Sequence, residues 1–326
     1  MSTRAAGRRA LLGLPLVVGF SGIGSPSAAA HALRTDWMAA WSVSPVEITP
    51  IIVVGVLYGV RARRLGSRLS FWHIASFYAG LAVLALALVS PIDSVGEGGL
   101  FSVHMLQHTL LGAIAPLLLL LGLTGAVLRP LLTVRWTRRL MVLTHPLAAF
   151  SAWVIDLAFW QIPPVYNAAL DNNIIHATEH IALVTFGLLM WAPIVEVLPG
   201  PEGFTTRWKC LYMVGVWMVG LTFANILWFS GTVFYPHYLQ TAPAFGVSAL
   251  QDQGYSGAVM MATHCMLAFV VGAVLFYRYA GEELLRQRLI EAGLDALRVD
   301  RAIRAGRAKE LARRYGLSVQ TRGGID

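Results

Sequence analysis

The chain has 326 residues, of which 56% are hydrophobic and only 13% are charged, and its mean hydropathy is +0.63. Soluble domains carry about 25% charged residues, and apolar stretches long enough to cross a bilayer recur here, so the composition excludes a soluble enzyme and indicates a polytopic membrane protein. In a membrane protein, the net charge of +8 bears first on which loops lie in the cytoplasm. No nucleic-acid partner is predicted, because only the C-terminal tail offers a soluble basic face.

The N-terminus has the layout of a secretory signal peptide. Arginines at positions 4, 8 and 9 precede a short apolar run, Ala10 to Phe20, and the small residues at 27–32 follow it. This apolar run is too short to span a bilayer. We therefore predict that residues 1–32 form a cleavable signal peptide or, alternatively, an uncleaved N-terminal anchor.

Seven further apolar segments predict membrane-spanning helices. Each is near or above the ~20 residues that a helix needs to cross the hydrocarbon core, where backbone groups must be hydrogen-bonded within the segment. The segments are residues 46–61, 70–90, 101–128, 144–162, 174–195, 209–231 and 255–279. The predicted fold is all-α: a polytopic bundle of seven transmembrane helices within residues 33–280, after the signal segment and before a basic helical tail at 281–326.

The charges of the connecting loops predict the orientation. The first loop (61–69) and the third (129–143) each contain four arginines and no acidic residue, whereas the second, fourth and sixth contain Asp or Glu and no Lys or Arg. Basic loops stay in the cytoplasm. We therefore predict a multi-pass protein of a bacterial-type cytoplasmic membrane, with its N-terminus outside after processing and its tail in the cytoplasm, on the anionic inner leaflet.

With this topology, five of the nine histidines fall at one membrane surface, the outer one. His104 and His108 open the third helix, His176 and His180 open the fifth, and His264 lies about two turns into the seventh. Ionisable side chains inside a membrane are costly unless they are paired or functional. The sequence therefore predicts a functional site at the outer surface.

The spacing of these residues favours a metal site. Both histidine pairs, and also Met260 with His264, stand at i and i+4, which places their side chains on one helix face. Imidazole suits copper, zinc and iron, and a thioether favours Cu(I). Asp156, in the outer half of the fourth helix, is predicted to face the same site, while Trp37, Trp41, Trp160 and Tyr166 are assigned to an aromatic belt. Interhelical polar packing and a haem site remain open alternatives.

The segment His176-x-x-Glu179-His180 also matches an inverted zinc-protease motif, in which two histidines bind zinc and the glutamate is the base. The motif is short, and no third ligand or oxyanion donor is evident from the sequence. We therefore predict no catalytic residue and interpret Glu179 as a further ligand or as an acceptor that orients an imidazole.

The run Phe-Ser-Val-His-Met-Leu-Gln-His at 101–108, continuing through Ala115-Pro116 to Leu121-Gly122, resembles the signature of the CtaG family of cytochrome c oxidase assembly proteins. The resemblance covers roughly residues 37–280. Its other motifs are Thr144-His145-Pro146, the run at 162–170, His176-x-x-Glu179-His180, Tyr-Pro-His-Tyr at 235–238, and Leu-Gln-Asp-Gln at 250–253 with Gly257.

The resemblance implies a seven-helix membrane protein needed to assemble a haem–copper oxidase of the respiratory chain, with copper supply as its role. The implied partners are oxidase subunits or other assembly factors within the lipid bilayer. Family members commonly have a histidine where this chain has Gln161, and His264 is a possible replacement. The motif residues carry over to His104, His108, His176, Glu179, His180, His237, Asp252 and Gln253.

The leading hypothesis is an oxidase assembly factor that binds copper through His104, His108, His176, Glu179, His180, His264, His237 and Met260, supported by Asp156, Asp252 and Gln253. The alternatives are a haem-binding membrane electron carrier that also uses His73 and His145, and a membrane zinc protease. The shared site predicts that the third, fifth and seventh helices meet. A nitrogen of His104 or His108 should then lie within about 8 Å of one of His176 or His180, close enough to bind one ion after a small movement.

Overall fold

The computed structural model describes residues 41, 44–132, 141–197 and 203–316. The regular elements in these ranges are helices, which confirms the all-α prediction. The predicted signal segment, residues 1–32, lies outside the described residues, as do Trp37 and the arginines at 135, 138 and 139.

We number the main helices in chain order. They are α1 Pro45–Leu65, α2 Phe71–Val89, α3 Pro91–Gly98, α4 Phe101–Gly122, α5 Gly125–Leu132, α6 Pro146–Trp160, α7 Pro163–Asp171, α8 Asn173–Val195, α9 Thr206–Phe229, α10 Tyr238–Thr241, α11 Ala249–Glu291, α12 Ala296–Arg304 and α13 Ala308–Arg314.

Six of the helices in the described ranges are long and apolar enough to cross a membrane: α1 with the short turn that follows it, α2, α4, α8, α9 and α11. The protein is therefore a helical membrane protein. The remaining predicted span corresponds to α6, which has only 15 residues and at 1.5 Å per residue extends about 22 Å. Pro146 starts this helix, because a proline fits the first turn but not a helix interior. The count of seven spans stays a prediction.

Helices α4, α8 and α11 begin at the same end of the bundle, which we call the histidine end. Asp252 on α11 accepts hydrogen bonds from the backbone N–H groups of Phe101 (2.6 Å) and Ser102 (3.1 Å), which have no partner within their own helix, so it ties α11 to the start of α4. This contact sets the depth at which α4 presents its first histidine.

Helices α4 and α8 touch through their backbones at a point one turn after His108 on α4 and two turns after His180 on α8. The residues Leu110–Ile114 of α4 form a π-helical turn, a feature that is frequent at functional sites. A Cβ atom on Gly187 of α8 would lie 2.1 Å from the carbonyl oxygen of Gly112 in this turn. Only glycine permits so close an approach, and it draws the two histidine-bearing helices together.

The opposite end of the bundle carries basic groups. Arg63 and Arg64 close α1, and Lys209 at the start of α9 forms an ion pair with Glu196, which follows α8. Helix α11 continues without a break beyond its apolar part, and its last turns pack with α12 and α13 around Leu289 and Val299.

Candidate metal centre

Four imidazole rings meet at the histidine end. His104 and His108 project from α4, with ring centroids 4.3 Å apart, and His176 and His180 project from α8, with centroids 4.1 Å apart. Across the two helices the centroids are 5.4 Å apart for His104 and His176 and 5.9 Å apart for His108 and His180. All four residues are buried. The structure therefore brings the two predicted pairs into one cluster.

A carboxylate lies inside this cluster. Glu179 of α8 is fully buried, with one oxygen 3.7 Å from His108 Nε2 and the other 3.5 Å from His176 Nδ1. Within the described ranges neither oxygen has a hydrogen-bond partner. A buried carboxylate that accepts no hydrogen bond is costly, and a cation among the four rings would remove that cost.

The nitrogen atoms that face the cluster are available to such a cation. The Nε2 atoms of His104, His108 and His180 have no hydrogen-bond partner in the part of the chain that the structure describes. One ligand atom from each of these three residues lies within 4.8 Å of the others, and the same holds for His104, His176 and Glu179. Two nitrogen ligands of one zinc ion are at most about 4 Å apart. The ligand atoms of either group would therefore have to approach each other by less than about 1 Å to bind one ion.

Two tyrosines orient His104. The hydroxyl oxygens of Tyr166 and Tyr238 lie 2.8 Å and 3.0 Å from His104 Nδ1, and they are 2.9 Å from each other. The Tyr238 hydroxyl also donates to the backbone carbonyl of Gly96 at 3.1 Å. Burial raises the pKa of both tyrosines well above the ordinary value, so both remain protonated.

The carbonyl of Gly96 can only accept, so the Tyr238 hydroxyl proton is directed to it. If Tyr238 donates to Gly96 and Tyr166 donates to Tyr238, both hydroxyl protons are used, and Nδ1 of His104 must be the donor to tyrosine oxygen. The lone pair of His104 is then on Nε2, the nitrogen that a metal would need. In that arrangement the two tyrosines hold the imidazole in the metal-binding tautomer.

This role of the tyrosines was not predicted from the sequence. Tyr166 was assigned to an outer aromatic belt, but it is buried against Phe101 and Tyr235, so that assignment is wrong. Trp160 is also buried, with its indole N–H donating to Asp156 at 2.9 Å, so it does not belong to a belt either. A signal was present, because Tyr166 and Tyr238 both lie in motifs that carried the family resemblance.

Acidic residues of α3 flank the cluster, and these too were not predicted as site residues. Glu97 Oε1 lies 2.8 Å from His176 Nε2, and Asp93 accepts a hydrogen bond from the Gln107 amide at 2.6 Å. Burial, and then the negative charge of Glu97, raise the pKa of Asp93 to about 7. The available signal was their i, i+4 spacing in a loop without Lys or Arg.

The predicted pair on α11 does not join the four rings. His264 Nδ1 lies 2.8 Å from the carbonyl oxygen of Met260, and its ring packs on Gly220, where an added Cβ would be 2.1 Å from the ring. His264 and Met260 line a cavity that His108 lines as well. Neither of the two ligand groups within the four-ring cluster includes His264.

Asp156 and Gln161 line the same cavity. The side chain of Asp156 is engaged by Trp160, as described above. Gln161 accepts a hydrogen bond from the Tyr235 hydroxyl at 2.8 Å and donates to the sulfur of Met105 at 3.5 Å. The position at which the resemblance implied a histidine is therefore occupied here by a packed amide, which lines this cavity together with His108.

His237, Asp252 and Gln253 have structural partners. His237 Nε2 lies 3.0 Å from the carbonyl oxygen of Glu97, which binds the loop before α11 to α3. Gln253 accepts from the N–H of Phe234 at 2.8 Å and donates to the carbonyl of Thr232 at 3.0 Å. These contacts, together with that of Asp252 to α4, hold the loops and helix starts around the cluster. Their predicted roles toward a metal stay predictions.

Comparison with known proteins agrees with the motifs. The family model for the cytochrome c oxidase caa3 assembly factor, Caa3_CtaG, matches residues 56–282, well over half of the chain, and so confirms the resemblance. An uncharacterized protein of Mycobacterium bovis is 27% identical over 169 residues, covering 47% of this chain and 25% of the relative. One of Mycobacterium leprae is 25% identical over 187 residues, covering 51% of this chain and 28% of the relative. The chain thus spans about a quarter of the length of the curated relatives it matches. No solved structure matches.

Proposed function

The chain belongs to the Caa3_CtaG family of cytochrome c oxidase caa3 assembly factors, and we propose that it serves oxidase assembly by binding one copper ion in the four-histidine cluster. His104, His108 and His180 supply nitrogen ligands through their free Nε2 atoms. Glu179 neutralises the ion, and His176 completes the cluster. The binding of copper and its transfer to the oxidase are the parts of this function that we propose beyond membership of the family.

One observation carries the proposal: buried imidazole nitrogens and a fully buried carboxylate surround one point, without hydrogen-bond partners in the described ranges. Polar atoms that are merely packed between helices normally find partners. Membrane proteins keep such groups only where they serve a function. A cation is the simplest group that satisfies all of them together.

Copper fits this donor set better than the alternatives. Copper(II) binds nitrogen and oxygen donors more tightly than the other divalent first-row metals do. A haem held by two of the rings would need its porphyrin plane between them, and the other two rings, with centroids within 5.9 Å, occupy that space. A protease would need Glu179 to face a substrate and water, but Glu179 is fully buried.

For the membrane arrangement we propose seven spans, with α6 as the seventh, and an orientation in which the histidine end lies outside. The acidic residues Glu47, Asp93 and Glu97 are at this end, and the arginines that close α1 are at the other, as the positive-inside rule requires. Residues 1–32 would then be a signal segment, and the basic tail from 281 onward would lie in the cytoplasm. We propose oxidase subunits or other assembly factors as partners, within the bilayer.

Metal analysis of the purified chain tests the copper proposal. We expect about one copper per chain after loading and dialysis, an electron paramagnetic resonance spectrum with nitrogen ligation, and no Soret band. His145→Ala is a matched control, because His145 is an exposed histidine at the opposite end of the bundle. Retention of copper in this variant and its loss in His180→Ala would support the proposal. A wild-type chain without copper, or a Soret band, would contradict it.

A further inference from the structure

A second group of ligands lies directly outside the four-histidine cluster. Asp93 and Glu97, one turn apart on α3, share with His176 a set of ligand atoms within 4.8 Å of one another. The Glu97 side chain is 45% exposed, whereas Glu179 in the inner cluster is fully buried. This outer group is thus reachable from water, and the inner one is not.

His176 belongs to both groups. Its Nε2 is 2.8 Å from the outer carboxylate of Glu97, and its Nδ1 is 3.5 Å from the inner carboxylate of Glu179. The residue is itself more than nine-tenths buried, and neither nitrogen makes a hydrogen bond of good geometry with the described residues. A single imidazole therefore separates the exposed carboxylate of Glu97, and the half-buried one of Asp93 beside it, from the buried cluster.

A third carboxylate reinforces the negative charge at this point. Glu47, in the first turn of α1, interacts electrostatically with both Glu97 and His176. Its Oε2 atom is buried and has no hydrogen-bond partner within the described ranges. The loop from 90 to 100 contains no Lys or Arg to balance these charges. These groups focus a negative potential on the exposed side of His176, to which Asp93 contributes only in part, because its pKa is about 7.

We propose that Asp93, Glu97 and His176 form a capture site, which takes up a divalent transition-metal cation from water and passes it through His176 to the buried cluster. This proposal rests on the proposed copper function. The outer group has one imidazole and lies near water, so it holds the ion more weakly than the four-histidine cluster, where the dielectric is lower. The ion then moves down a gradient of affinity between two groups that share one ligand.

Transfer kinetics distinguish a capture site from an additional ligand. A route that the ion uses in both directions speeds association and dissociation by the same factor, so the loss of a capture site slows both rates. Loss of a ligand instead speeds dissociation and lowers the affinity. For the Glu97→Gln variant we therefore expect association to slow by about tenfold, the low end of the effect of electrostatic focusing on association, and dissociation to slow rather than to speed up.

The experiment uses the full chain in lipid nanodiscs, with Cu²⁺ as the probe, rapid mixing for association and a competing chelator for dissociation. Asp171→Asn is the matched control, since Asp171 is an exposed carboxylate at the same end of the bundle, on α7. It should behave as the wild type. The wild-type association rate should fall steeply with ionic strength, and this dependence should be weaker in Glu97→Gln. Asp93→Asn should slow loading in the same direction.

Two outcomes would overturn the capture site while leaving the copper function intact. One is wild-type association in Glu97→Gln with about one copper still bound. The other is faster dissociation alone, which would make Glu97 a ligand of the inner cluster. Failure of the copper function itself has a different signature, because the wild-type chain would then bind no copper at equilibrium.

Discussion

The histidine pairs of α4 and α8 and the Met260–His264 pair of α11 have the same i, i+4 spacing but different surroundings. The first two pairs face each other. Among the described residues, the Nε2 atoms of His104, His108 and His180 have no hydrogen-bond partner. His264 instead engages the carbonyl of its own helix at Met260 and lies beside a cavity. Spacing places two side chains on one face of a helix, and the packing of that face decides whether they form a site.

The packing differs because of where the helices touch. Helix α8 meets the π-helical turn of α4 through Gly187 and Gly112, one to two turns from the histidines, so the two faces are drawn together. On α11, Gly220 of α9 presses on the ring of His264 itself. A glycine at a helix contact thus brings the histidine pairs of α4 and α8 together. Another glycine at a helix contact holds the ring of His264 on α11 apart from them.

The largest expected effect follows from removing a ring common to both ligand groups. His104→Ala should weaken copper binding by more than about 100-fold, beyond the range found for residues that only orient a ligand. His264→Ala should change the affinity by less than about threefold, because His264 is in neither group. Equilibrium competition with a chelator measures both. Equal losses in the two variants would show that α11 contributes a ligand after all.

A smaller effect is expected from the carboxylate inside the cluster. Glu179→Gln should weaken copper binding by roughly 10–100-fold, because an amide cannot neutralise the ion, though it keeps the shape of the side chain. Asp156→Asn is the control, since Asp156 faces the neighbouring cavity, and it should retain the wild-type affinity. Unchanged metal content in Glu179→Gln, with loss of a peptide-cleaving activity, would instead indicate a catalytic base.

The pairing of helices was predictable from particular residues, but the extent of the site was not. The i, i+4 spacing and the common depth of His104 and His176 were enough to predict that α4 and α8 meet. Tyr166 and Tyr238 lie on helices in the loops between spans, and no periodicity relates them to His104. Their position depends on how the loops fold over the histidine end, as does that of Glu97.

The bounds of the helices were also only partly predictable from the sequence. The apolar segment 101–128 reads as one span, yet the structure ends α4 at Gly122 and begins α5 at Gly125. The segment 255–279 marks only the apolar part of α11, which runs from Ala249 to Glu291. Hydropathy reports which part of a helix suits lipid, whereas Ser248 and Gln251, which form a capping box, decide where α11 begins.

A substitution at the helix contact should act on stability as well as on binding. Gly187→Ala places a methyl group 2.1 Å from the Gly112 carbonyl, so α8 must move away, at a cost of about 1–3 kcal/mol for overpacking. Its apparent melting temperature in detergent should fall, and copper binding should weaken with it. Gly272→Ala on α11 meets no atom within 4 Å and should be neutral or slightly stabilising. An unchanged melting temperature in Gly187→Ala would show that the contact is not needed.

The smallest effect is expected from Tyr166→Phe. This change removes one of the two hydroxyl oxygens near His104 Nδ1 and leaves that of Tyr238 at 3.0 Å. The N–H of His104 therefore keeps an acceptor, and copper affinity should fall only about fivefold, the equivalent of one hydrogen bond of about 1 kcal/mol. Tyr255→Phe, at an exposed tyrosine of α11, should have no effect on affinity.

The double variant Tyr166→Phe/Tyr238→Phe tests the direction of the hydrogen-bond chain. Without either oxygen, Nδ1–H of His104 becomes a buried donor without an acceptor, at a cost of about 1–3 kcal/mol beyond the bonds themselves. The loss of copper affinity should then exceed the product of the losses in the two single variants. If the two losses simply multiply, each tyrosine acts alone, and the tautomer of His104 is not set by a relay that ends on the carbonyl of Gly96.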